Sequence, residues 1–483
     1  MDDQTFVCDL GTRLYKSNRI HERAAGDRVL LFAPDWHGMP VLVNAWVRDL
    51  LDCFCDGSTV GEVMAQDAAR ERDFGELVSV VGFLEEQGFL RLRPDPVRYD
   101  VSKKEYQNIP NSFSVWLSIN NSCNLGCSYC FVEEMSKKRQ LMARDTLQLS
   151  ARRIAETAKA NKTREVVVKF AGGEPTLAID SMEFAYDLIH SELDRTDTKL
   201  QFAVLSNGTA INERIIAFLK RPGVGIGISV DGYGAYHDVH RKYKHNGSGS
   251  WKTILRNVAR LKGEGIRPYI MATVTNESAP GLRQLAEWIF TEGLSTRLNV
   301  VRSRYAATET SAEREADYAT LVEACKQGFE QVFAFLEAHP GLVDVASQLH
   351  ICELSFENPL NGPACGIGHS HVVFDYNGKL TDCVMTLHAA KTPATDNLLK
   401  DVPLTVDHMP YDDTSAAGQS DCYSCEWYPV CGGGCPTANT RVNGHPYTRS
   451  PLCRFYKYVI PRYLDCLGQN MLARQTNGQR VEA

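Results

Sequence analysis

Cys123, Cys127 and Cys130 lie on one short run, Ser122-Cys123-Asn124-Leu125-Gly126-Cys127-Ser128-Tyr129-Cys130-Phe131. A four-iron, four-sulfur cluster ordinarily takes four cysteine thiolates, so three on one loop leave one iron open. An open iron can bind an amine and a carboxylate and do chemistry on the molecule that carries them. A zinc knuckle or a set of buried thiols is the competing reading of three close cysteines. A second constellation lies beyond His350: Cys365, Cys383, Cys422, Cys425, Cys431, Cys435 and Cys453, spaced C-x12-G-x4-C, then CxxC-x5-C-x3-C, then a last cysteine. Taken alone, that segment also reads as a zinc ribbon.

The loop needs a scaffold, and the middle of the chain supplies one. Ser114–Asn120 alternates and is β-rich, and a helical pattern runs from Asp145 through Ala160. The three cysteines therefore follow a strand at its C-terminal end, where barrel enzymes keep their chemistry. From Ser114 to about Ala338 six strand-then-helix units can be traced. The strands are 114–120, 165–172, 199–207, 224–232, 267–275 and 296–302; Ser181–Leu193, Asn212–Arg221, Trp251–Gly263 and Gly281–Phe290 read as helices. Such alternation predicts an α/β fold with a parallel sheet, curled by right-handed crossovers into part of a barrel. Polar or glycine-rich residues sit where the strands end: Gly172, Gly173 and Glu174 after the second, Ser206 and Asn207 after the third, Ser229 and Asp231 after the fourth, then Arg241. Paired glycines let backbone approach a ligand closely, although a Gly-Pro turn, Ser-Asn-Gly and Asp-Gly are also ordinary turn formers.

The CxxxCxxC spacing, with aromatic Tyr129 before the last cysteine, resembles the radical S-adenosylmethionine superfamily. The resemblance implies a partial (β/α)6 TIM barrel and S-adenosylmethionine as cofactor. By it, Tyr129 stands beside the cofactor, Gly172, Gly173 and Glu174 meet the methionyl amine, and Ser206, Asn207, Ser229 and Asp231 suit ribose and carboxylate recognition. Arg241 would take the cofactor carboxylate, or else pair with Asp238. Thr275, Asn276 and Arg302 would line the barrel mouth. The C-terminal spacing resembles the seven-cysteine SPASM extension, a C-terminal cysteine-rich iron-sulfur domain. That implies two auxiliary clusters, one on Cys365, Cys383 and Cys435 and one on Cys422, Cys425, Cys431 and Cys453, making three [4Fe-4S] clusters in all. The first set is one ligand short. Either Cys352 completes it, or its open iron binds a substrate thiolate or amide nitrogen. Asp382, beside Cys383, is a candidate general base, with an exposed turn aspartate as the alternative. Cys8, Cys53, Cys55, Cys325 and Cys466 have no partners at ligand spacing and read as packing.

The first hundred residues carry strand patterns at Val29–Phe32 and Pro40–Asn44, a helix at Ala45–Phe54, a short one from Ser58 and a longer one near Phe74–Gly88. This is an N-terminal winged-helix-like domain. With Asp56-Gly57-Ser58-Thr59-Val60 it resembles the PqqD-like domain, which implies recognition of a leader peptide by strand addition; a brace against the barrel is the plainer alternative. The expected divisions are 1–98 for this domain, 99–112 for a linker, 113–340 for the barrel, 341–470 for the SPASM domain and 471–483 for a tail.

Composition bounds the function. At 483 residues the chain should hold two to four domains, and 43% hydrophobic with 23% charged residues is ordinary for a soluble protein. A net charge of −7 without a Lys/Arg stripe argues against nucleic acid as the main partner. The N-terminus has no secretory pattern and no apolar run approaches the roughly 18 residues of a membrane helix, so the expectation is a cytoplasmic protein with no membrane partner. Sixteen cysteines in that compartment read as metal ligands. The resemblance implies a peptide maturase whose 5′-deoxyadenosyl radical takes a hydrogen atom from a ribosomally made precursor peptide and installs a thioether or a C–C or C–O side-chain bond, with flavodoxin or ferredoxin as reductant. A sulfatase-type formylglycine maturase, a quinohemoprotein amine dehydrogenase thioether maturase, and a non-catalytic iron-sulfur carrier or peptide-binding scaffold are the alternatives.

Overall fold

In the computed structural model, residues 9–36, 38–66, 72–95, 111–132, 139–302, 311–356, 365–367, 370–401, 405–406, 409–410, 421–446 and 448–477 are described. The N-terminal segment forms two small antiparallel sheets. β1 (Arg13–Lys16) pairs with β5 (Ser58–Thr59) and β6 (Leu90–Arg91), while β2 (His21–Ala25), β3 (Arg28–Phe32) and β4 (Val41–Asn44) follow in order. Three helices, Ala45–Asp52, Val60–Met64 and Phe74–Glu86, lie where the sequence pattern puts them. A capping box between Thr59 and Glu62 starts the second, and the Asp73 side chain caps the third. Successive β3 residues serve different cores. Leu31 joins Val41, Val43, Leu50 and Leu84 in the N-terminal core, whereas Leu30 and Phe32 belong to the main core of the chain.

All six expected barrel strands are present and parallel in the expected order: β7 (Ser112–Asn120), β8 (Glu165–Gly172), β9 (Lys199–Ser206), β10 (Val224–Ser229), β11 (Tyr269–Val274) and β12 (Thr296–Val300). Along β8 the outward Val166, Val168 and Phe170 are fully buried in a core shared with Leu147, Ile154, Met182 and Ile189 of the flanking helices Arg144–Asn161 and Ile179–Leu193. Glu165, Val167 and Lys169 alternate with them and are only half-buried, which turns them to the other face of the sheet. Three further strands extend it. β13 (Leu349–Ile351) runs parallel to β12, and β14 (His371–Phe374) parallel to β7, with β15 (Leu380–Thr381) antiparallel beyond it. The barrel sheet and part of the cysteine-rich region are thus one nine-stranded sheet.

Helix Cys453–Thr476 ties the ends of the chain together. The boundary expected at 470 falls inside it. Phe455 meets Phe329 of the long helix Ser311–Ala338 with ring centres 4.9 Å apart, and Arg462 pairs with Glu330 and Glu337. On the N-terminal side Arg23 of β2 pairs with Asp465 at 3.2 Å. The His21 ring stacks on Trp427, with centroids 3.9 Å apart. Among the described residues no helix is long and apolar enough to cross a membrane.

Candidate iron–sulfur active site

The three-cysteine loop is clamped to the end of β8 by backbone. Gly173 N–H donates to the Asn120 carbonyl at 2.9 Å and Glu174 N–H to the Ser122 carbonyl at 2.7 Å; the Asn120 side chain donates back to the Glu174 carbonyl at 2.9 Å. A Cβ at Gly172, whose φ is +121°, would sit 2.0 Å from the Asn120 carbonyl oxygen, and one at Gly173 would sit 2.1 Å from that of Ser122. Only glycine fits either place. The glycine pair therefore makes room for the cysteine loop. From the other side Gly126 N–H donates to the Lys242 carbonyl at 2.9 Å.

Glu174 is tied into the fold from the same side. Its carboxylate is 1% exposed and accepts from Thr176 N–H (3.1 Å), Thr176 Oγ1 (2.6 Å), Ser206 Oγ (2.8 Å) and Asn207 N–H (2.6 Å). Burial raises its pKa against the pull of those donors. Through these four donors Glu174 orients the end of β9. The gain is visible at Asn207, whose amide donates to Cys123 Sγ at 3.6 Å and to Asn124 Oδ1 at 2.8 Å.

Asp231, Arg241 and Tyr129, each expected at the cofactor, form one buried network with one another. Arg241 Nε donates to Asp231 at 2.8 Å, the Tyr129 hydroxyl donates to the same carboxylate, and Thr273 N–H donates to its other oxygen at 3.0 Å. Burial pushes Asp231 up, but the adjacent guanidinium outweighs it and the carboxyl stays below its usual range. Arg241 thus pairs with Asp231 and not with Asp238, whose carboxylate caps Trp251 N–H at 2.9 Å. Asp231 is fully buried and its carboxylate holds Arg241. Arg241 in turn reaches Cys127 Sγ with Nη1 at 3.8 Å. Ser229 ends β10 half-buried.

Two histidines the sequence reading left unassigned complete the network. His237 accepts Asp231 N–H at Nδ1 (3.3 Å) and meets Ser250 Oγ with Nε2 (2.9 Å). Burial lowers its pKa to about 4, so it is neutral and carries its proton on Nε2. His240 joins Ser128 on the cysteine loop (2.6 Å) to Thr275 after β11 (2.8 Å). The run His237-Asp238-Val239-His240-Arg241 was the available signal, but nothing in its spacing says which strand each ring meets.

The C-terminal cysteines separate into the two expected groups. Cys422, Cys425, Cys431 and Cys453 line one small cavity of about 30 Å³, closed by Trp427, Tyr428, Ser450 and Tyr456. Cys365, Cys383 and Cys435 lie within each other's electrostatic reach. Thr437 donates to Cys383 Sγ at 3.6 Å and Met385 N–H does so at 3.4 Å. Cys352 turns elsewhere. Its thiol donates to the Leu298 carbonyl at 3.4 Å from a residue with φ of +46°, and the charged groups that act on it are Glu353, Arg302 and Cys325. The structure does not bring Cys352 to the first set. Asp382 is fully buried, receiving Thr386 Oγ1 at 3.2 Å, which removes the exposed-turn alternative. Cys325 and Cys466 are buried in the main core, as expected of packing cysteines, whereas Cys53 is half-buried, and Cys55 is exposed and so does not pack; Cys8 lies outside the described residues.

Residues 117–289 match the family model of the Radical SAM superfamily. The chain carries a radical SAM enzyme domain. The chain is similar to the cysteine-type anaerobic sulfatase-maturating enzyme of Clostridium novyi (29% identical over 161 residues, 33% of this chain and 42% of that one). It is also similar to the radical SAM cyclopropyl synthase TigE of Paramaledivibacter caminithermalis (27% over 161 residues, 31% and 32%). The matched stretch spans less than half the length of either relative. Among solved structures, anSMEcpe with bound AdoMet and a Cp18Cys peptide superposes with a TM-score of 0.54 at 18% identity, over 76% of this chain and 99% of that one. At that identity the likeness is one of fold.

The radical SAM domain has a donor set suited to an iron–sulfur cluster. Cys123 Sγ receives Asn207 Nδ2 and Leu125 N–H (3.4 Å), and Cys127 Sγ receives Arg241. Such N–H donors onto sulfur are among the ways proteins tune clusters. Without iron, burial pushes Cys123 up to about 11 and Cys127 up to about 12, so metal must bind with loss of protons.

Proposed function

We propose that the chain is a radical SAM maturase that modifies a peptide or protein substrate, and that it installs a crosslink in a ribosomally made precursor. The observation that carries the reading is the three-cysteine loop held by the Gly172-Gly173 clamp with N–H donors aimed at two of its sulfurs. A four-iron cluster and S-adenosylmethionine bound there would supply a 5′-deoxyadenosyl radical that takes a hydrogen atom from the substrate. Cys123, Cys127 and Cys130 would hold the iron. Asn207 and Arg241 fix the first two sulfurs, and Glu174 and Asp231 fix Asn207 and Arg241 in turn. Ser229, at the open end of β10, is left to meet the cofactor.

A peptide substrate is supported by the sulfatase-maturating relative and by the peptide-bound anSMEcpe structure. The N-terminal sheets favour a crosslink over formylglycine formation, because they provide a separate surface on which a leader can pair as an added strand. The two C-terminal cysteine groups would carry auxiliary clusters that accept the electron released as the new bond forms, with flavodoxin or ferredoxin as the reductant. A sulfatase-type maturase is the second reading, favoured by the Clostridium novyi similarity.

Anaerobic reconstitution tests the proposal. About twelve irons in the wild type, falling to about eight in the Cys123/Cys127/Cys130→Ala variant, are expected for three clusters, with 5′-deoxyadenosine formation lost in the variant. Zinc at the C-terminal cysteines, or no nucleoside from fully loaded wild type under strong reductant, would sink it.

A further inference from the structure

The inner face of the barrel sheet carries two cations, Lys169 and Arg297, with no carboxylate partner among the described residues. Val115, Leu117 and Ile119 of β7 join the helix-side core, so Ser114, Trp116 and Ser118 turn to the inner face. Strand register then sets out two rows across that face. In the first, Trp116 pairs with Lys169, Lys169 with Ala203 and Ala203 with Gly225. Two residues further along the strands, Ser118 pairs with Ala171, Leu205 with Gly227 and Gly227 with Tyr269. The first row leaves open space beside Lys169, because a Cβ at Gly225 would meet nothing within 4 Å. Across that space the Tyr269 hydroxyl is fixed on His350 Nδ1 at 2.9 Å. His350 pairs in register with Arg297 of β12, and the Arg297 guanidinium acts on the Tyr269 hydroxyl as charge and as donor.

Lys169 is half-buried and enters no hydrogen bond or ion pair among the described residues. Burial, then the Arg297 charge, lowers its pKa against an opposing effect of Cys365, as befits an ammonium group without an anion beside it. Glu165 is the one acid in strands β7 to β14, and Lys199 and Gln201 hold it, each at 3.1 Å. Beyond the strand ends, Glu174 and Asp231 are committed to β9 and to Arg241. In the second row the Ser118 hydroxyl is unsatisfied as well: Ser118 is 4% exposed, and its Oγ has no hydrogen-bond partner among the described residues. An unpaired cation and an unpaired buried hydroxyl on one face lack the same thing, an acceptor that carries negative charge.

We propose that this inner face binds a carboxylate of the substrate, paired with Lys169 and Arg297 beside the small residues Ala203 and Gly225, and so selects peptides with an acidic group close to the residue that is modified. This rests on the reading that the substrate is a peptide. Aspartate and glutamate side chains and a C-terminal carboxyl group share the required chemistry. Ser229 ends β10 two residues beyond Gly227, so a ligand on this face lies next to the position left for the cofactor. Arg297 is exposed, which leaves the face open to an incoming chain, and its planar fork matches the two oxygens of a carboxylate.

The test is retention of synthetic peptides by the reconstituted full chain with S-adenosylmethionine, under anaerobic conditions, read by mass spectrometry after rapid filtration. Pooled short peptides of otherwise equal composition carry a central Glu with an amidated C-terminus, a central Gln with an amidated C-terminus, or a central Gln with a free C-terminal carboxyl group. At least one acid pool is expected to be held about tenfold more than the pool without a carboxylate, and which one it is identifies the source of the acid. Lys169→Gln and Arg297→Gln each remove the preference at unchanged iron content, while Lys169→Arg keeps most of it. Should Lys169→Gln fail to load iron, Arg297→Gln, at an exposed position, decides. Equal retention of all pools by iron-loaded wild type overturns the proposal, and so does a preference that survives Arg297→Gln and every iron-loaded Lys169→Gln sample. Nucleoside formation is scored on the same samples. Its absence with the acid preference intact overturns the radical reading alone, and nucleoside formation with equal retention overturns this proposal alone.

Discussion

The loop at Cys123 and the cavity at Cys453 use the same side chain to opposite ends. At the loop, three thiols sit on the rim of a sheet, and two of them are steered by N–H donors from other strands. At the cavity, four thiols face each other behind Trp427, Tyr428 and Tyr456. Three cysteines leave one iron of a four-iron cluster open to a further molecule; four saturate it and suit a group that only exchanges electrons. Context separates the two sites, because the sulfur ligands are alike.

Gly173→Ala should break the comparison most completely. Its Cβ has no room against the Ser122 carbonyl, so the loop must leave β8. The expected outcome is loss of nucleoside formation by at least a hundredfold, with loss of about four irons and retention of those at the C-terminal cysteines; full iron with full activity would refute the clamp. Glu174→Gln comes next. A carboxamide cannot satisfy four donors, and an unsatisfied buried group costs about 1–3 kcal/mol. A fall of that size in urea unfolding, with Asn207 released from Cys123, is expected, while an equivalent Cys431→Ala change should leave nucleoside formation by the loop in place.

Acid should affect the loop's support before its ligands are considered. His237 is neutral in the fold with a pKa of about 4, against roughly 6.5 in an unfolded chain. The unfolded chain therefore takes up a proton that the fold refuses, and stability present above about pH 6.5 is lost as pH falls toward 4, by up to about 3 kcal/mol. Urea titrations of the metal-free protein at pH 7.5 and 4.5 measure this, and His237→Gln should flatten the difference. The smallest effect is expected at His21, also lowered to about 4 by burial and the nearby Arg23. His21→Phe keeps the ring on Trp427 and should change stability near pH 7 by less than about 1 kcal/mol, while removing its share of the acid loss.

The six barrel strands were legible because each is a short β-rich stretch, alternating or apolar, that recurs between helical segments and ends in polar or glycine residues. Short strands such as β13 and β14 were hidden, since three or four residues carry too little periodicity to register. The partners of Glu174 and Asp231 were hidden for a different reason. A carboxylate at a strand end looks the same in sequence whether it faces a ligand or a neighbouring loop, and here Ser206, Asn207 and Arg241 had claimed both. Cys352 shows the limit of counting: it stands thirteen residues before Cys365, yet its backbone aims the thiol at Leu298.

Helix Cys453–Thr476 spans 24 residues, or about 36 Å at 1.5 Å per residue. Its first residue belongs to the four-cysteine cavity, and its flank carries the N-terminal sheet through Asp465. Phe455 and Arg462 also hold it against helix Ser311–Ala338, so it is a strut and not a free lever: a load on β2 would reach the four-cysteine cavity by two routes, along the helix and through His21 on Trp427.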